Sequence, residues 1–221
     1  MLYLSAEAQA VSENSISVFN MILKGGWLML PIFILSIVSI YIYVERYAIL
    51  RKLTRKNMTF MSNLQQHLRA NNIQAAIAEC SKESSPSGRI LLKGIQHLDL
   101  PTNELRSHLE SNANIEIGEL EKGLSTLSTS SGLAPMIGFL GTVVGMVQAF
   151  YDMSLAGSNI NITLLSRGIY TAMITTVAGL FVGIIAYLAY NTLTAKINKI
   201  ATTLESTNAD FLEMIYESKK K

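Results

Sequence analysis

Three long stretches of this chain contain neither a charged residue nor a histidine, and they restrict the possible folds more than any other feature. They cover residues 25–44, 123–151 and 168–195 of the 221-residue chain. A transmembrane helix needs about 20 mostly apolar residues to cross a hydrocarbon core about 30 Å thick. Three such stretches in one short chain argue against buried helices of a soluble core. The sequence therefore predicts an all-α integral membrane protein with three transmembrane helices.

The first stretch is predicted to be a retained span and not a cleaved signal peptide. Acidic Glu7 and Glu13 precede it, and charged Glu45 and Arg46 follow it directly. A signal peptide ends in a small-residue cleavage motif, and none is found at the end of this stretch, which also begins only after 24 residues.

The distribution of Lys and Arg predicts the orientation of the spans. Segment 1–24 and loop 152–167 carry one cation each, Lys24 and Arg167, whereas most cations follow the first and third spans. Regions rich in Lys and Arg face the cytoplasm. We therefore expect segment 1–24, which has the pattern of a short amphipathic helix, and loop 152–167 to lie outside. Residues 45–122 and 196–221 are expected to form a cytoplasmic helical region and a cytoplasmic C-terminal helix.

A basic cluster directly after the first span has two interpretations. It is a topology signal, and it is also suited to the head groups of anionic lipids. The cluster consists of Arg51, Lys52, Arg55 and Lys56.

The apolar pattern continues from the second and third spans into the cytoplasmic regions. Apolar residues recur at steps of three and four from Leu105 to Leu127, without a proline, and run into the second span. A similar stripe from Leu193 to Ile215 follows the third span. Such spacing is typical of one face of a helix. We expect one helix over about 103–151, and both helices to extend far into the cytoplasm.

The second and third spans contain small residues at the spacing that brings helices into close contact. Glycines four residues apart let two backbones approach in lipid, where water does not drive packing. A proline inside the second span predicts a kink, because it removes one helical hydrogen bond. The predicted helix-packing residues are Pro135, Gly138, Gly141, Gly145, Gly179 and Gly183.

Threonines are the notable polar residues at the middle of the spans. Each can donate to a carbonyl one turn earlier in its own helix, and for any one of them this is the simpler explanation. Several of them facing one cavity would instead give a passage a polar lining. The candidate pore-lining residues are Thr142, Thr171, Thr175 and Thr176.

The sequence provides no sign of an enzyme, a metal site or a cofactor site. It lacks the HExxH, GxSxG, Walker and dinucleotide-binding motifs, and its three histidines have no ligand spacing. The single cysteine, Cys80, excludes a disulfide framework, and a net charge of +2 argues against a nucleic-acid partner. The second and third spans also contain no acidic or basic residue. If the protein moves protons, another subunit must supply the titrating group.

Two blocks of the sequence resemble the MotA/TolQ/ExbB proton-channel family, and most closely its ExbB branch. They are APMIGFLGTVVGMVQAF at 134–150 and GIYTAMITTVAGLFVGIIAYLAYNTLTAKI at 168–197. The resemblance implies a non-enzymatic homopentameric ring in the bacterial inner membrane, with a periplasmic N-terminus and a cytoplasmic C-terminus. It also implies a single-span ExbD/TolR-like partner inside the ring, whose aspartate carries the proton, and a TonB-like protein that receives the work.

On this resemblance, Thr142 and Thr176 take the positions of threonines that line the bore in the family. ExbB proteins commonly carry a glutamate five residues before the second of these threonines, and this chain has Thr171 there. Sodium coupling and a TolQ-like or MotA-like motor therefore stay open. Two further alternatives are a structural scaffold without ion flux and a free-standing channel or transporter.

Overall fold

The computed structural model describes residues 26–53, 58–155 and 162–219, and these residues form seven helices without a β-strand. The helices are α1 (Met29–Leu53), α2 (Met58–Arg69), α3 (Ile73–Lys82), α4 (Pro86–Gln96), α5 (Thr102–Glu121), α6 (Leu124–Leu155) and α7 (Ile162–Lys219). Helices α1, α6 and α7 are long and apolar enough to cross a membrane. The predicted all-α class with three membrane-spanning helices is confirmed. The predictions for segment 1–24, Arg55, Lys56 and part of loop 152–167 lie outside the described residues.

The chain divides into two compact units. The first, which we call the membrane unit, consists of the described residues up to Ile40 together with Thr126–Leu188. Its core is formed by Met29 and Ile32 of α1 and Ile174 of α7, with Ile137, Ala178 and Val182 packed against them. Many other large apolar side chains of this unit are exposed, as expected for surfaces that face lipid or other helices.

The second unit, the helical unit, consists of Tyr41–Ser125 and Ala189–Lys221. Its helix α4 begins where Ser85 accepts a hydrogen bond from the Gly88 N–H at 3.3 Å, with Pro86 in the first turn. The apolar stripe predicted along α7 is buried; its members are Leu193, Ile197, Ile200, Leu204, Phe211 and Ile215. Residues 162–188 of α7 belong to the membrane unit and residues 189–219 to the helical unit.

The prediction of a single helix over about 103–151 is wrong, because the helix is interrupted between α5 and α6. Gly123 has a φ of +84°, a conformation that glycine adopts without strain and that ends a helix. A Cβ on Gly123 would also lie 2.9 Å from Ile42 Cγ2. Arg46 Nη1 donates to the carbonyl of Glu119 at 3.4 Å and so occupies one of the free carbonyls at the end of α5. The apolar stripe stays in register across the break, which is why the sequence pattern hides it.

The single cysteine lies inside the helical unit. Cys80 is 1% exposed, and burial, together with the nearby Glu79 carboxylate, raises the pKa of its thiol to about 12. The thiol therefore stays protonated and unreactive at neutral pH.

Candidate functional site

The membrane unit is organised around a tight contact between α6 and α7, which we call the α6–α7 seam. A Cβ on Gly138 would lie 2.9 Å from the Thr175 carbonyl oxygen, and one on Gly145 would lie 2.8 Å from Ala172 Cβ. At Gly141 an added Cβ would collide with the Thr175 side chain. A larger residue at any of these positions would force the facing atoms to shift, and these are backbone atoms at Gly138 and side-chain atoms at Gly141 and Gly145.

On the α7 side of the seam, two further glycines, Gly179 and Gly183, also lie directly against α6. A Cβ on Gly179 would collide with the Ala134 carbonyl oxygen and lie 2.9 Å from Gly138 Cα. Pro135 fills the space opposite Gly183, where an added Cβ would be 2.5 Å from Pro135 Cγ. The structure thus places all six predicted packing residues in one contact.

The threonines of the seam use their hydroxyl hydrogens for backbone carbonyls. Thr176 Oγ1 donates to the Gly138 carbonyl at 2.8 Å and so links α7 to α6. Thr142 donates to the Phe139 carbonyl at 2.6 Å, and Thr175 donates to the Ala172 carbonyl at 2.8 Å, both within their own helices. Thr175 is 1% exposed, because it lies between the two helices. Its hydroxyl is not accessible in the single chain.

The four candidate threonines do not share one surface. Thr171 lies three residues before Ile174 and seven before Ala178, which puts it on the stripe of α7 that packs towards α1. Thr176 lies two residues from both Ile174 and Ala178, on the opposite side of that helix. On α6, Thr142 is five residues from Ile137, which packs against the cluster of Met29, Ile32 and Ile174, so Thr142 is turned well away from that cluster. Thr142 and Thr176 therefore belong to the edge of the seam that faces away from α1.

The described part of the membrane unit carries only two charged side chains, Asp152 and Arg167. Asp152 accepts a hydrogen bond from Gln148 Nε2 at 2.8 Å and follows the predicted second span. Arg167 directly precedes the predicted third span. Among the described residues there is no cluster of three His, Cys, Asp or Glu side chains that could hold a metal. The seam therefore offers hydroxyl and carbonyl oxygens but no carboxylate, imidazole or ammonium group.

The predicted lipid-binding cluster is described in part. Arg51 and Lys52 are exposed in the last turn of α1, whereas Arg55 and Lys56 lie outside the described residues. Nearby on α7, Lys196 Nζ stands 4.5 Å from the centre of the Tyr47 ring, a favourable cation–π geometry.

Several small residues that the glycine spacing alone did not predict complete the seam. Gly168 faces Ala149, Gly145 faces Ala172, and Ala134 faces Gly179. Gly145 and Ala149 are four residues apart, as are Gly168 and Ala172. A search for small residues in general, and not for glycine alone, would have found them.

Comparison with known proteins gives one family and several relatives. The family model described as MotA/TolQ/ExbB proton channel family matches residues 82–206. A Synechocystis protein described as an ExbB-like biopolymer transport protein is 29% identical over 204 residues, which is 88% of this chain and 77% of the relative. The Tol-Pal system protein TolQ of Haemophilus influenzae is 28% identical, over 75% of this chain and 77% of its own. The Vibrio cholerae biopolymer transport protein exbB1 is 27% identical, over 82% and 81%.

Proposed function

The chain belongs to the MotA/TolQ/ExbB proton channel family, and from this premise we propose that it is the ring-forming, non-enzymatic subunit of an ion-driven motor in the bacterial inner membrane. In this proposal a homopentamer encloses a single-span ExbD/TolR-like partner. Ion flow down the proton-motive force moves one component against the other, and a TonB-like protein delivers the work to outer-membrane transport.

The observation that carries the proposal is the uncharged α6–α7 seam. Proton pathways in membranes use Asp, Glu or His, and residues 126–151 and 168–188 contain none of them. A protein of this family with such spans has to receive the titrating group from another chain. The small residues of the seam make α6 and α7 a closely packed pair, suited to a rigid wall around that guest.

The hydrogen bonds of Thr142 and Thr176 support a specific role for their oxygens. Both hydroxyl hydrogens are already donated to backbone carbonyls, so each oxygen offers only lone pairs to a neighbour. Such an oxygen accepts a hydrogen bond from a protonated carboxylic acid but cannot donate one to a carboxylate. A hydrogen bond to the neutral form raises a carboxyl pKa. These threonines would therefore favour the proton-loaded form of the partner's aspartate.

We propose the following topology for the chain. Residues 25–44, 123–151 and 168–195 cross the bilayer, segment 1–24 and loop 152–167 face the periplasm, and residues 45–122 and 196–221 lie in the cytoplasm. The positions of Arg51, Lys52, Lys196 and Lys199 support this orientation, because these cations follow the spans on one side only.

The central test is the double variant Thr142→Ala/Thr176→Ala. We expect it to abolish energised uptake while the complex still assembles, because two acceptor oxygens are lost without a change in the glycine contacts. The Thr142→Ser/Thr176→Ser variant keeps both oxygens and should retain most uptake. Thr202→Ala is a matched control, since the Thr202 hydroxyl also donates to a backbone carbonyl but lies in the helical unit. Normal uptake by the double alanine variant would remove these threonines from the mechanism.

Three further measurements separate the alternatives. Co-purification with a single-span protein whose intramembrane aspartate is essential favours the motor, and failure to find one favours a structural scaffold. Uptake that follows the sodium gradient, and survives collapse of the proton gradient, would identify sodium as the coupling ion. Ion flux in liposomes that contain this chain alone would instead indicate a free-standing channel.

A further inference from the structure

A pocket of about 270 Å³ lies inside the helical unit, where three helices meet. It is formed by the end of α1, the start of α4 and a cytoplasmic stretch of α7. Its lining residues are Leu53, Ser85, Pro86, Ser87, Lys199, Ile200, Thr203 and Leu204.

The lining of this pocket is amphiphilic. Leu53, Pro86, Ile200 and Leu204 supply apolar walls, and Lys199 supplies one ammonium group. The hydroxyls offer both hydrogen-bonding roles. Thr203 Oγ1 donates to the Lys199 carbonyl at 2.9 Å, which leaves its oxygen to accept from a ligand.

Ser85, in contrast to Thr203, can donate a hydrogen bond to a ligand. Its oxygen already accepts from the Gly88 N–H, so its own hydroxyl hydrogen is available to donate. A ligand that carries both an anionic oxygen and a hydroxyl group, next to an apolar part, matches this lining.

The depth of the pocket relative to the bilayer can be inferred from the neighbouring contact between Lys196 and Tyr47. Glu45 and Arg46 are the first charged residues after the apolar run of α1, and Lys196 is the first after that of α7. The Lys196–Tyr47 contact places these two points at one level. Leu53 is six residues beyond Tyr47, and Lys199 three beyond Lys196, so the pocket begins about 5–9 Å further along the helices. The head-group region of a bilayer is about 5–7 Å thick on each side.

The charges around the pocket favour an anion. Arg51 and Lys52, both exposed, directly precede Leu53 in the last turn of α1. Glu83 lies beside the lining, where its Oε1 accepts from the Ser85 N–H at 3.3 Å. Lys199 is the cation of the lining, Arg51 and Lys52 add positive charge at this end of α1, and basic pockets at the cytoplasmic side of membrane helices bind anionic head groups.

We propose that this pocket binds the head group of an anionic phospholipid of the surrounding bilayer. The lipid phosphate pairs with Lys199, head-group hydroxyls bond Ser85 and Thr203, and the glycerol region contacts Leu53 and Ile200. This inference requires a membrane protein with its basic helix ends at the bilayer surface, and it does not depend on ion flux or on a TonB-like partner. A failed uptake experiment would therefore not contradict lipid binding in this pocket. Absence of lipid binding would likewise not contradict the proposed motor function.

The test uses the full-length protein, purified in detergent with equal amounts of phosphatidylglycerol and phosphatidylcholine, and native mass spectrometry to count retained lipids. We expect preferential retention of phosphatidylglycerol, a several-fold loss of this preference in Lys199→Gln, and its recovery in Lys199→Arg. Lys196→Gln is the matched control, because it removes an ammonium one turn away that lies over Tyr47 and does not line the pocket.

Three outcomes would overturn the proposal. The first is equal retention of the two lipids by the wild-type protein, and the second is the same loss in Lys196→Gln as in Lys199→Gln. The third is displacement of the retained lipid by inorganic phosphate, which would indicate a site for a soluble anion. If Lys199→Gln loses helix content by circular dichroism, Ser87→Leu tests the same pocket by filling it, and unchanged lipid preference in that variant counts against the proposal.

Discussion

The glycines of this chain differ in how closely other atoms approach them, and this difference decides whether substitution by alanine stabilises or destabilises the protein. Gly179 lies against backbone atoms of α6, whereas Gly132 on α6 has nothing within 4 Å of an added Cβ. A backbone carbonyl cannot rotate away as a flexible side chain can. The same substitution should therefore have opposite effects at these two positions.

We predict that Gly179→Ala weakens the α6–α7 seam and that Gly132→Ala does not. Overpacking a close contact costs about 1–3 kcal/mol, while alanine in place of an open helical glycine gains about 0.5–1 kcal/mol. The measurement is the free energy of unfolding in detergent micelles, followed by circular dichroism. Equal stability of the two variants would mean that the helices are not as close at Gly179 as the structure places them.

At this scale the sequence indicated which residue types matter but not which way they face. The GxxxG spacing was sufficient to identify Gly141, Gly145, Gly179 and Gly183, since close helix contact needs small residues at that step. The threonines could not be sorted in advance. Thr175 is enclosed and Thr176 reaches the carbonyl of Gly138, and both outcomes depend on how α6 and α7 are rotated against each other.

Among the elements, the break between α5 and α6 makes a specific prediction about Gly123. Gly123→Ala should destabilise the protein, because alanine tolerates a φ of +84° poorly and its Cβ would meet Ile42. Gly118 is the matched control, since it lies inside α5 with nothing within 4 Å of an added Cβ. Gly118→Ala should gain about 0.5–1 kcal/mol. Thermal unfolding of the two purified variants compares them, and a higher melting temperature for Gly123→Ala than for the wild type would contradict the prediction.

The secondary structure could be predicted from the sequence wherever local chemistry decides it. The spacing of Leu193, Ile197 and Ile200, for example, predicted the face of α7 that is buried in the structure. The interruption at Gly123 could not be predicted, because the apolar stripe continues on both sides of it. It depends on the approach of Ile42 and Arg46, which are distant in the sequence.

For the molecule as a whole, the membrane unit exposes more apolar surface than one chain can cover. Phe139 on α6 and Phe181 on α7 are 67% and 66% exposed. Large exposed apolar patches mark contacts with lipid or with other proteins. The sequence predicted the apolar spans themselves, but the surfaces that remain uncovered after the seam has formed are known only from the structure.

We predict that native mass spectrometry of the purified complex gives a mass of five copies of the 24.3 kDa chain, with additional mass from a single-span partner. Part of the exposed surface of α6 and α7 is then covered by neighbouring copies. A complex that remains a single chain in mild detergents, under conditions that preserve known membrane oligomers, would contradict the ring and would leave lipid as the only cover for these side chains.

The enclosed position of Cys80 has a practical consequence for measuring motion in this protein. A thiol that is protonated at neutral pH and shielded by α3 and its neighbours reacts slowly with maleimide and methanethiosulfonate reagents. A spin label or fluorophore on a second, engineered thiol at the exposed control position Thr202 would then report with little background labelling of Cys80. Distances between labelled subunits could be followed in the otherwise native chain.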